Sequence, residues 1–174
     1  MVLEDAGSLL LRLAVGWLFL MGAWGSVKDQ GARDFTTSET ALVFKWRPRL
    51  FAYTGIAMMG LGGLSIVLGV FPRLGALALT VFLFGGAMIH FAKRRQLVAY
   101  QQQIETALTG DDARQARATL LALTDAGVMG HFTAGLKNYA LAGATAYLVL
   151  AGARAPMLIG VGPDGNWQGL LTWF

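Results

Sequence analysis

The sequence predicts an all-α integral membrane protein: a four-helix bundle, with short amphipathic surface helices in the connection between helices 3 and 4. Three observations predict it. Residues 50–71 and 73–92 are two apolar runs of about twenty residues each, long enough to cross a hydrocarbon core of roughly 30 Å. Hydrophobic residues make up 55% of the chain and charged residues 14%, so a soluble helical protein of this sequence would lack the polar residues to cover its outer faces. Glycine is abundant at 23 residues, as in membrane helices. At 174 residues the chain is expected to form a single membrane domain over 1–174.

The first span is expected at about 7–27. Its acidic flank, Glu4-Asp5, and its length argue for a retained helix rather than a cleaved signal. Arg12 is its one charge. It can snorkel to the interface, the simpler expectation, or face the bundle and meet a buried acceptor. Trp17 and Trp24 suit a helix surface or an interfacial belt. The next connection is polar. Thr36-Thr37-Ser38-Glu39 reads as a helix start, giving a short surface helix over about 38–44 that Pro48 closes.

The second and third spans, 50–71 and 73–92, are joined so closely at Phe71-Pro72-Arg73 that they form a tight antiparallel hairpin. Small residues such as Gly62, Ser65 and Gly69 let neighbouring backbones approach in lipid. The third span ends at His90, and Lys93-Arg94-Arg95 stops the apolar run. Helical periodicity then recurs in Leu97, Tyr100, Ile104 and Leu108, and again in Ala113, Ala116, Leu120 and Leu123. Thr109-Gly110-Asp111-Asp112 resembles a capping box between them. The insert 96–127 is therefore expected as two short helices lying along the membrane surface, punctuated at Gly127 and Gly130. A fourth span is expected at 132–153, with Lys137-Asn138 just over a turn in. The tail, 155–174, carries Trp167, Trp173 and Phe174 and reads as an interfacial anchor or a partner surface.

Charge sets the orientation. Lys28, Arg33, Lys45, Arg47 and Arg49 in the first connection and Lys93, Arg94, Arg95, Arg114 and Arg117 in the third are ten of the 14 basic residues. The positive-inside rule places both long connections in the cytoplasm and both termini outside. The net charge of +4 suits anionic lipid head groups rather than nucleic acid. The chain has no cysteine, which excludes disulfides, thiol redox chemistry and cysteine-ligated iron–sulfur or metal sites.

That topology brings polar groups to one depth. His90, Lys137, Asn138 and Trp24 all fall near cytoplasmic helix ends, and ionisable groups at membrane depth default to a functional reading. A quinone needs a donor to each carbonyl oxygen and an apolar slot for its tail. His90, Lys137 and Asn138 could donate, with Arg12 on the opposite side. The plainer alternative is that Lys137 snorkels, His90 caps helix carbonyls and Asn138 joins two helices. His131 is the only other histidine, so a haem held by the two remains a further alternative. No acid lies in the second, third or fourth span, which argues against a carboxylate metal site or proton relay there. No metal site and no catalytic residue is expected.

Leu10-Leu-Arg12-Leu-Ala-Val-Gly16-Trp-Leu-Phe-Leu-Met-Gly22 is similar to the opening helix of the DoxX family. Gly69-Val-Phe-Pro-Arg73-Leu-Gly-Ala resembles its turn between helices 2 and 3. The third-span ending at His90 and Leu136-Lys137-Asn138-Tyr-Ala-Leu-Ala-Gly143 resemble its later signatures. The resemblance implies a multi-pass protein of the bacterial inner membrane. Relatives include the DoxD subunit of thiosulfate:quinone oxidoreductase. Gly22-Ala23-Trp24 stands where family members often carry a histidine, and the 96–127 insert is unlike compact members.

The expectation is a small, non-catalytic accessory subunit of a membrane-bound respiratory or quinone-linked redox complex, with lipids and other subunits as partners. The alternative is a quinone-binding subunit of a thiosulfate:quinone type of oxidoreductase. Without cysteine or a flavin motif this chain could bind a quinone but not itself supply electrons. A small-molecule carrier comes third, because the spans lack polar residues at mid-membrane depth.

Overall fold

The computed structural model describes residues 3–108 and 113–151. The tail 155–174 with its tryptophans, and the 109–112 break, lie outside the described residues. The described chain is five helices: α1 (Leu3–Val27), α2 (Gln30–Ala41), α3 (Pro48–Leu68), α4 (Pro72–Ala107) and α5 (Ala113–Ala151).

Stretches of α1, α3 and α4 are long and apolar enough to cross a membrane. In each, 28% of the apolar window is buried inside the chain. Leu10, Trp17, Leu61 and Phe84 are among the large side chains left facing outward. Apolar surface on that scale requires lipid, so this is a membrane protein. The fourth expected span falls in α5. There Lys137 and Asn138 interrupt the apolar run, and α5 is not among the helices that are apolar enough.

The connection after α1 differs from expectation. Helix α2 starts eight residues earlier than the sequence suggests. Asp29 is its N-cap and accepts a hydrogen bond from the Ala32 N–H at 2.7 Å. The Thr36–Glu39 stretch read as a helix start is mid-helix. The Thr36, Thr37 and Thr40 hydroxyls donate back to the carbonyls of Ala32, Arg33 and Thr36, which satisfies them without a cap.

Helix α3 begins with Pro48 in its first turn and ends at Gly69 in the left-handed region, φ 76°, as a C-terminal glycine does. The turn to α4 is Gly69-Val70-Phe71. Pro72 and Arg73, expected in the turn or just after it, already belong to α4. The Ser65 hydroxyl closes this turn, shared between the Val70 carbonyl at 2.6 Å and the Phe71 carbonyl at 2.9 Å. Phe71 is left-handed at φ 49°, a conformation that costs a non-glycine residue about 1–3 kcal/mol. Gly75 makes the crossing possible: a Cβ there would sit inside van der Waals contact of Ser65 and 3.0 Å from the Gly62 carbonyl.

The largest correction concerns the insert 96–127. Residues 96–107 and 113–127 of it are helical, but they do not form separate amphipathic helices on the surface. Gln96 to Ala107 continues α4, and Ala113 to Gly130 is the first half of α5. Helix α4 has 36 residues and α5 has 39, about 54 and 58 Å. Both exceed a bilayer core by more than 20 Å, so they run on as an antiparallel hairpin beyond the membrane.

The arrangement is also not a closed four-helix bundle. Packing follows chain order, α1 on α3, α3 on α4 and α4 on α5, with α2 against α1, α3 and the middle of α4. A closed bundle would also join first helix to last, and among the described residues α1 and α5 share no such seam. The core follows the row. Val15, Phe19, Ile56, Met59, Ile66, Leu79, Leu83 and Leu148 are buried in one apolar cluster. At the α1–α3 crossing Gly16 and Gly63 face each other: a Cβ on Gly63 would lie 3.0 Å from the Gly16 carbonyl.

Candidate functional site

Polar groups collect where α2, α4 and α5 meet. His90 lies 18 residues beyond Pro72, about 27 Å along α4, near the edge of a bilayer core opposite Pro72. His131 lies opposite it on α5. Their Nδ1 atoms are 3.1 Å apart and their ring centroids 5.5 Å apart. The centroid separation exceeds the nitrogen separation by about two ring radii, so the two nitrogens face each other head-on. One imidazole donates from Nδ1–H. The other accepts with its Nδ1 lone pair and carries its proton on Nε2. Each ring keeps its Nε2 for another partner.

One turn further along α4, the Lys93 ammonium meets the Glu39 carboxylate of α2 at 2.7 Å, both side chains half-buried. This ion pair and the histidine pair tie α2, α4 and α5 together at one level. Glu39 and Lys137 both lie within electrostatic range of the His90 ring. Asn138 sits against Gly86 of α4, where a Cβ would come within 2.8 Å of its Nδ2. About two turns lower in the same seam, the Thr80 and Thr145 hydroxyls are 2.8 Å apart, with Thr145 fully buried. The close fit of α4 on α5 rests on Gly135 under the Phe91 ring and Gly127 under Leu97.

The sequence candidates therefore divide. His90 and Asn138 share the α4–α5 seam, and His131 joins them. Lys137 is on the exposed side of α5 at the same level. Trp24 is 65% exposed on the outer face of α1. Arg12 is elsewhere altogether and does not snorkel. It is fully buried, and its Nε donates to the Ile66 carbonyl at 2.8 Å and its Nη2 to the Val67 carbonyl at 3.5 Å. Those carbonyls belong to the last turn of α3, where the helix itself supplies no partner and the dipole is negative. Arg12 thus caps the far end of α3, by the turn that precedes α4.

Two features lie outside the sequence candidates. Glu39 read as a capping acid, and its partner Lys93 is 54 residues away. Thr80 and Thr145 are two hydroxyls in apolar runs, a signal available but unread. The residues fit the candidate ligands unequally. A haem iron between the histidines has no room at 3.1 Å. Among the described residues no set of three or more His, Cys, Asp or Glu side chains converges to hold a metal ion. A quinone carbonyl could take a hydrogen bond from the Nε2–H of the ring that accepts at Nδ1, or from the Asn138 amide. The groove of about 560 Å³ between α3 and α4, lined by residues such as Met58, Leu61 and Ala78, is not its tail slot, because it lies toward the opposite end of α4.

Outward-facing apolar helices joined by sparse polar contacts define an α-helical membrane protein. Its family follows from the chain: the DoxX family model matches residues 7–92, and over that stretch, from α1 to the turn of α4 that carries His90, the protein belongs to the DoxX family. No curated protein and no solved structure matches the chain. His131, Lys137, Asn138 and the distal hairpin all lie beyond the matched residues.

Proposed function

We propose that this DoxX-family protein is a small, non-catalytic accessory subunit of a membrane-bound, quinone-linked redox complex in a bacterial inner membrane. The observation that carries the reading is the α4–α5 hairpin. It runs past the membrane by more than 20 Å and leaves Ile104, Leu121 and Leu123 exposed there, Leu123 by 69%. Apolar side chains on a rigid, protruding two-helix arm fit a docking surface for another protein. The α5 segment after His131 completes a fourth crossing in this reading, and the basic side faces the cytoplasm.

The test is purification of the full chain from native membranes in mild detergent, with mass spectrometry of the bound proteins. A stoichiometric set of redox subunits is expected. Leu121→Glu with Leu123→Glu should release it while the chain stays in the membrane. Recovery of the same subunits with that variant overturns the reading.

The histidine pair favours a second reading, a quinone-binding subunit. Asn138 and the Nε2–H of whichever ring, His90 or His131, accepts at Nδ1 would orient the quinone, and the electrons would come from a partner. Co-purified quinone should then fall in His90→Ala and in Asn138→Ala. Unchanged quinone content leaves the pair as a helix–helix tie.

A further inference from the structure

An aromatic track runs along the outer side of the α4–α5 seam. Phe84 contacts Tyr139 edge-on with centroids 5.7 Å apart, Tyr139 lies 6.0 Å from Phe91, and Phe91 lies 6.5 Å from Phe132. The track ends under a cation, with the Arg94 guanidinium 5.2 Å over the Phe132 ring. Here a surface pocket of about 490 Å³ opens, lined by Phe91, Arg94, Arg95 and Val98. Phe84 and Tyr139 are exposed to the membrane, and Arg94 and Arg95 are exposed at its edge.

The dimensions identify an occupant. Phe84 to Arg94 is ten residues, about 15 Å along the helix, which is half of a roughly 30 Å hydrocarbon core. The track is thus one leaflet deep. Its apolar part covers the depth of an acyl chain, and its two guanidiniums stand at the depth of a phosphate, whose oxygens they can grip bidentately. We propose that this seam holds one anionic phospholipid, its phosphate on Arg94 and Arg95 and an acyl chain along Phe91, Tyr139 and Phe84. A soluble phosphate would satisfy the guanidiniums but leave the aromatic track uncovered, so the ligand is the lipid. Its site is the base of the protruding hairpin, where it would seat α4 and α5 against the membrane surface.

The test uses the purified full chain in detergent with phosphatidylglycerol or phosphatidylcholine added, and native mass spectrometry of the lipid retained. One phosphatidylglycerol should be retained in preference to phosphatidylcholine by roughly 20- to 30-fold, since each basic side chain near an anionic surface contributes about fivefold. Arg94→Gln with Arg95→Gln should bring the two lipids close to parity. Arg47→Gln with Arg49→Gln removes the same charge from the same membrane edge, away from the track, and should leave the preference intact. Tyr139→Ala should weaken retention with both arginines in place. Equal retention of the two lipids by the unmodified chain overturns the proposal. So does an equal loss in the Arg47/Arg49 variant, which would mean unspecific charge, or full competition by glycerol phosphate, which would mean a free-phosphate site.

Discussion

Two cases illustrate what a residue's chemistry reveals and what it hides. Arg12 announces itself as a charge inside an apolar run, and the sequence offers a choice between snorkelling and burial. The structure resolves it through the end of another helix. The Ile66 and Val67 carbonyls are the acceptors, and no pattern within 7–27 could name them. Arg12→Leu should therefore cost roughly 2–3 kcal/mol, the scale of hydrogen bonds to a charged group, read as a lower unfolding temperature in detergent. Arg12→Lys should recover only part of that, because an ammonium lacks the fork that reaches two carbonyls. The histidine pair is the second case. His90 and His131 were legible as possible neighbours, but their head-on contact depends on the register of α4 against α5. A double-mutant cycle of His90→Ala and His131→Ala should give a coupling of about 1 kcal/mol. Additive losses would mean that the rings stabilise α4 and α5 separately.

At the scale of elements, the apolar runs reported the spans well because their physics is one-dimensional: length and hydropathy suffice. The same signal misled at Lys93-Arg94-Arg95. Those residues end an apolar run but not a helix, since Lys, Arg and the following Gln residues are good helix formers. The Leu97–Leu108 periodicity was real, but its residues divide: Leu97 packs over Gly127 of α5, while Tyr100 and Ile104 stay exposed. Gly127 read as punctuation and is instead a contact point beneath Leu97. The continuous hairpin can be checked directly, because the chain has no native cysteine. Leu97→Cys with Gly127→Cys should be bridged by a short bis-thiol cross-linker, as the Gly127 Cβ position lies 3.1 Å from Cδ1 at the tip of the Leu97 side chain. Separate surface helices would leave both thiols free. The tight α3–α4 turn gives a second check. Gly75→Val forces atoms onto Ser65 and the Gly62 carbonyl, an overpacking cost of about 1–3 kcal/mol, while Gly85→Ala, where a Cβ meets open space, should be tolerated.

For the whole molecule the decisive quantity is how far α5 returns along α4. Helix α5 carries Lys137 and Asn138, so hydropathy alone does not mark it as a span. Its packing supports the proposed fourth crossing. Asn138 lies on Gly86, and Thr145 bonds Thr80. Thr80 is only eight residues into α4, about 12 Å from its start and within the depth of its apolar run. In the proposed reading, a helix bound there is already inside the bilayer and heading toward the side where α4 began. The two hydroxyls satisfy each other at that depth, where water could not. In the proposed orientation, the positive-inside rule keeps the Lys93-Arg94-Arg95 end of α4 with the cytoplasm. A reporter fused after Phe174 should accordingly read as external and one inserted after Leu108 as cytoplasmic. Both readings on one side would mean that α5 stops short of crossing, and the Thr80–Thr145 contact would then have to break in the membrane.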